Sequence, residues 1–107
     1  MMILTYAGTE LMTGDALARA VLEYCAALAE EGAAETLEIP VLRLDGSMAT
    51  ATLVVGPASQ IVAMTVDTTF PELEDAATLD HLMTRTRAHR PVLRASATPP
   101  VAEIGEV

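Results

Sequence analysis

One thiol, two imidazoles and a crowd of carboxylates are the groups in this sequence reactive enough for acid, base or nucleophilic work. The thiol is Cys25, the chain's one cysteine. A cysteine beside a histidine and a carboxylate can act as a nucleophile, but its thiolate needs a helix N-terminus or a cation to form readily. Cys25 falls inside the apolar arc of a helix expected between Asp15 and Gly32, far from that helix's start. A buried, inert thiol is the better reading.

The imidazoles, His81 and His89, have side-chain pKa values suited to proton transfer near neutrality. His81 projects opposite the apolar stripe of a second expected helix, beside Ala77 and Arg85, and reads as solvent-facing. His89 lies near the stripe's edge in the last turn, where its ring can donate to free carbonyls. Being eight residues apart, they are not a close i, i+4 pair of ligands, and no Cys/His spacing supports zinc or another metal.

The carboxylates Glu72, Glu74 and Asp75 crowd into four positions. Hard-cation loops alternate their ligands around a glycine, and no glycine stands between Gly56 and Gly105. A solvated, dipole-favoured helix start explains the cluster better. Asp45 belongs to an Asp45-Gly46 turn, and Ser59 lies in Gly56-Pro57-Ala58-Ser59, which is no nucleophile elbow. No glycine-rich phosphate loop or other cofactor motif occurs.

Arg85, Arg87, Arg90 and Arg94 form the one cationic cluster. Guanidinium groups bind oxyanions bidentately, but Arg85 and Arg87 point about 160° apart around a helix. Pairing with the protein's own acids is the better reading. With Tyr6, Tyr24 and Phe70 as the only aromatics, stacking on bases has little to work with.

The elements that must position these groups come from a chain of 107 residues, long enough for one ordinary core. Fifteen acids against six arginines, with no lysine, leave a net charge of -9. Such a surface repels phosphate backbones and anionic headgroups, so nucleic acid is not an expected partner. The charge is uneven: residues 1–40 sum to -6, residues 41–80 to -5 and residues 81–107 to +2. A basic C-terminal third on an acidic body invites contact between the two, within one chain or between chains.

The start of the sequence lacks the pattern of a secretory signal, and a single cysteine suits a reducing compartment, so a cytoplasmic location is expected. Residues 46–66 carry no charge over 21 positions. Gly56-Pro57 interrupts them and six polar residues dilute them, so no membrane association is expected.

Met2 to Tyr6 reads as a short strand broken by Gly8. The first helix follows, with Thr13 as its N-cap, Asp15 in its first turn, and Leu17, Val21, Tyr24 and Leu28 on one face widened by Leu22 and Cys25. Ala16, Ala20 and Ala27 flank that face, and Gly32 stands where a C-cap belongs. Three strands are expected next: Glu35 to Leu44, Met48 to Val55 and Ile61 to Val66. Pro40 withholds a donor, so the first of these belongs at an edge or bulge. Asp45-Gly46 signals a two-residue hairpin turn, Gly56-Pro57-Ala58-Ser59 suits a turn with proline second, and the three strands together read as a meander.

The second helix starts between Pro71 and Ala76 and ends at Arg90, with Ala76, Leu79, Leu82, Met83 and Thr86 as its stripe. The expected fold is α+β: an antiparallel three- or four-stranded sheet in β-α-β-β-β-α order, with two helices packed on one face. Residues 1–90 form one domain, and residues 91–107 an extended tail.

In the strands 48–55 and 61–66 neither side carries a charge. Helices cover one face of such a sheet, which leaves Met48, Val54, Val62, Met64 and Val66, or their opposites, in need of a partner. No set of nucleophile, base and oxyanion donors emerges, so catalytic residues are not assigned. The expected function is a small acidic interaction module or regulatory subunit, self-associating as a homodimer through a sheet face or meeting another protein there. The alternative is a small-molecule-binding protein or enzyme whose site forms at a subunit interface.

Overall fold

In the computed structural model, residues 1–89 are described. The expected boundary between domain and tail lies at the edge of this range, and the tail lies outside it. The chain runs β1 (Met2–Tyr6), β2 (Thr9–Thr13), α1 (Asp15–Glu31), β3 (Glu35–Leu42), β4 (Met48–Val55), β5 (Ile61–Thr65) and α2 (Ala76–His89). The fold is α+β, with one five-stranded antiparallel sheet and two helices.

The sheet has one strand more than expected. Thr9–Thr13 returns antiparallel to β1 through a tight turn at Ala7-Gly8, both with positive φ (52° and 78°). Alanine seldom adopts that conformation, so the turn had no recognisable sequence signal.

The expected meander is also corrected. The strand order is β4-β3-β2-β1-β5, so β5 pairs with β1 and is not a neighbour of β4. Strands β4 and β5 lie at opposite edges yet are joined by residues 56–60 alone, which requires a coiled sheet. The Tyr6 hydroxyl secures the closure, donating to the Val54 carbonyl at 2.5 Å and lying 2.8 Å from Ser59 Oγ. Ser59 also closes the Gly56–Ser59 turn through its amide, with Pro57 second as expected.

Helix α1 is the centre of the core. It buries Leu17, Ala18, Ala20, Val21, Tyr24, Ala27 and Leu28, of which Ala18, Ala20, Val21, Tyr24 and Leu28 share one core with Leu4, Leu37, Ile39, Val41, Leu53 and Val55 from the sheet. The apolar arc widens through alanines, while Leu22 and Cys25 lie half-buried at its margin. Gly32 ends the helix in the left-handed conformation.

Thr13 is not the N-cap. It belongs to β2 and donates to the Pro40 carbonyl at 2.9 Å, and Gly14 takes the cap position without a side-chain bond. The amide of Asp15 donates instead to Glu72 Oε2 at 2.5 Å, a carboxylate 57 residues away. A Cβ at Gly14 would stand 1.9 Å from the Leu73 carbonyl oxygen, so the linker into α2 can reach this helix start only over a glycine. Leu73, Met1 and Leu17 form a second small core there, with Met12, Leu42 and Val66 packed against it.

The Asp45-Gly46 turn differs from the expected two-residue form. Gly46 donates to Arg43 O and Arg43 to Ser47 O, and only Gly46 has a positive φ (86°). This is a three-residue loop that ends on a left-handed glycine. The Asp45 carboxylate accepts from the Ser47 hydroxyl and amide, and these bonds hold it below its ordinary pKa.

Candidate functional site

Two surfaces stand out among the described residues: the face of the sheet turned away from α1, and a polar junction where α2 meets the start of β3. The first follows from strand alternation, since residues adjacent to the buried Leu4, Leu37, Ile39, Val41, Leu53 and Val55 must project to the other side. Register places Met48 opposite Leu42, Leu42 opposite Met12, Met12 opposite Ile3 and Ile3 opposite Met64. An unbroken apolar row therefore crosses all five strands.

Met48 and Met64 are 61% and 67% exposed, and Val54 and Val62 on the same face are 66% and 56% exposed. Met12 and Leu42, in the middle of the row, are half-buried and pack against the small core around Leu73. Val66, which the sequence places with this group, packs against the same small core. The acids Glu10 and Glu38 lie on the face to either side of the row, both exposed.

At the polar junction Tyr24, from the buried face of α1, donates its hydroxyl to Glu35 Oε1, and Arg85 of α2 pairs with the same oxygen. His89 places Nδ1 at 2.7 Å from Glu31 Oε1 and Nε2 at 3.4 Å from Glu35 Oε2. Burial, and then the bond to Glu35, push the Tyr24 phenol up to about 12. The Tyr24 hydroxyl, Arg85 and His89 together hold the Glu35 carboxyl below its ordinary range. The junction pins α2 to α1 and β3. It offers a charged network but no nucleophile.

Beside it a groove of about 470 Å³ separates α2 from β3, lined by Tyr24, Thr36, Glu38, His81, Leu82 and Arg85 among others. His81 is exposed there, as its helical projection requires. Cys25 and His89 are not among the lining residues.

The remaining groups do not converge. Cys25 is half-buried, a correction to its core placement, and burial raises its thiol pKa. Asp75 caps α2 by accepting the Thr78 amide, and Glu72 serves α1, so the acidic cluster divides between two helices. Arg85 pairs with Glu35, Arg87 is exposed, and Arg90 and Arg94 fall outside the described residues. Among the described residues no three His, Cys, Asp or Glu side chains gather as a metal site, and no helix is long and apolar enough to cross a membrane.

Sequence reasoning missed Tyr24, Glu35 and Glu72 as polar anchors. Their partners are 11 to 71 residues away, and nothing in their local spacing pairs them. No protein-family model matches this chain, and neither a curated protein nor a solved structure matches it.

Proposed function

We propose that the chain is a small acidic interaction module whose working surface is the open sheet face, with a second copy of the same chain as its partner. The observation that carries this reading is the row Ile3, Met12, Leu42, Met48 and Met64, continuous over five strands and flanked by exposed Val54 and Val62. A contiguous apolar patch of this kind marks an interaction site in a monomeric fold. A two-fold interface uses one such patch twice.

Methionines suit the role, because their unbranched, polarisable side chains adapt to a facing copy. Each copy carries a charge of -9, so the apolar contact forms against electrostatic repulsion. Salt screens that repulsion and tightens the dimer.

Sedimentation equilibrium tests the reading. A mass of twice the 11.3 kDa chain at micromolar concentration is expected, with tighter association at higher salt and a return to single-chain mass in Met64→Glu. A single-chain mass for the unaltered protein at every salt concentration rejects it.

A further inference from the structure

The sheet has two outer edges, and they are finished differently. Which backbone groups face each edge follows from alternation, since the N–H and C=O of one strand residue point to the same side. On β4 the Ser47 carbonyl accepts the Arg43 amide, and with no break in register the residues facing away from β3 are Met48, Thr50, Thr52 and Val54. Side chains of the same chain close both ends of that edge. Arg43 donates to the Met48 carbonyl at 3.2 Å, and Tyr6 donates to the Val54 carbonyl.

On β5 the pattern is set by Val66, whose amide donates to the Met1 carbonyl, so that Val62 and Met64 also face β1. Ile61, Ala63 and Thr65 therefore turn their amides and carbonyls outward. Among the described residues no strand lies beside them and no side chain bonds them. Edges in monomeric proteins are blunted by a charge, a proline or a bulge. Ile61-Val62-Ala63-Met64-Thr65 has neither charge nor proline, and it pairs with β1 through all five residues without a bulge.

We infer that this edge pairs with β5 of a second copy, antiparallel about a two-fold axis at Ala63, so that two sheets continue into one. Three observations select that occupant. The outward groups fall at 61, 63 and 65, so the axis sets Ile61 opposite Thr65 and Ala63 opposite its own counterpart, and no residue of the strand is left over. The same register sets Val62 beside Met64 on the open face, where they are 56% and 67% exposed, so apolar meets apolar. The third observation is charge. The chain carries -9, yet residues 46–66 and β1 carry none, so a like-charged copy meets no acid on either strand, and an oppositely charged partner finds nothing there to attract it.

This contact is separate from the open face, whose pairing leaves the backbone edges uncovered. A joint five residues long buries little surface, so it forms at higher concentration than the face contact.

Amide hydrogen exchange on the full chain tests this, read residue by residue by NMR in a concentration series. The amides of Ile61, Ala63 and Thr65 are expected to slow by at least about tenfold from the dilute to the concentrated end. Those of Val62 and Met64, bonded to β1, serve as the internal control and keep their rates. In Ala63→Pro, which removes an outward donor and no bond to β1, the slowing at Ile61 and Thr65 is expected to vanish. In Met48→Glu, which charges the far end of the apolar row, it is expected to persist.

Fast exchange at the three outward amides at every concentration overturns the proposal, and leaves the open-face reading standing if the chain still sediments at twice its mass. Slow exchange that does not change with concentration also overturns it, because the chain's own residues would then cover the edge. Slowing that survives Ala63→Pro, or that is lost in Met48→Glu, assigns the effect to another contact and overturns it as well. The series on the unaltered chain decides the question even where a variant does not fold.

Discussion

The two helices of this protein are held by different forces. Helix α1 buries seven side chains, including the fully enclosed Val21 and Leu28, and one of them, Tyr24, also reaches Glu35 through its hydroxyl. Helix α2 buries Leu82 alone, leaves Met83 43% exposed, and relies on Arg85 and His89 reaching Glu31 and Glu35. Apolar burial adds with area, whereas partly exposed ion pairs contribute little each and respond to pH and salt. The expected outcome is that α1 opens only with the whole fold, whereas α2 opens locally.

The largest expected effect lies in α1. Leu28→Ala should cost about 2–5 kcal/mol in urea unfolding, and the whole protein should lose that stability together. Leu82→Ala removes the one buried anchor of α2 and should cost about 2 kcal/mol, near the lower end for a truncated core residue. Amide exchange separates the cases: α2 should open while α1 stays protected, and simultaneous opening would break the distinction between them.

The linker to α2 gives the next effect. Gly46 has φ 86°, and a Cβ there would lie 2.8 Å from the ring of Phe70, which precedes α2. Gly46→Val should cost about 1–3 kcal/mol in thermal or urea unfolding, because strained backbone and a displaced ring act together. An unchanged stability curve would mean that the loop and Phe70 move freely.

The junction itself should respond to pH in both directions. Glu35 has a folded pKa below its unfolded value, so its stabilising contribution is present above the unfolded value and is lost as pH falls through the folded one. Tyr24 has its folded pKa raised from 10.0 to about 12, so its contribution is complete below 10 and disappears as pH climbs toward 12. Ultraviolet titration should resolve a late-ionising tyrosine in the folded protein, and Glu35→Gln should bring that ionisation earlier. Release of α2 before α1 at both extremes would sharpen the contrast.

The smallest effect belongs to the outer side of α2. Met83→Ala should change stability by no more than about 0.5 kcal/mol.

Much of the outline was legible along the chain. Strands β1 and β4 lie where their apolar, β-branched runs place them, and α1 follows its 3.6-residue period up to Gly32. Pro40 pointed to an edge strand or a bulge, but β3 lies inside the sheet order and keeps its register with β4 through Pro40; the missing N–H is tolerated because the pairing of β3 with β2 is confined to Leu42 opposite Met12. The strand β2 was less legible. Thr9, Glu10 and Thr13 dilute its pattern, and an Ala-Gly turn resembles no favoured hairpin signal.

What the sequence by itself determined is local: the helix face around Val21 and Leu28, the turn glycine at Gly46, and strands whose two sides lack charge. These depend on residues within a few positions of one another, where backbone geometry alone sets which side chains share a face. Tertiary structure decided that β5 pairs with β1, that Glu72 meets the start of α1, and that Tyr24, Glu35, Arg85 and His89 share one junction. It also decided which sheet face stays open. Those outcomes depend on how a coiled sheet brings distant strands together, and any one strand is compatible with several neighbours until the whole sheet is assembled.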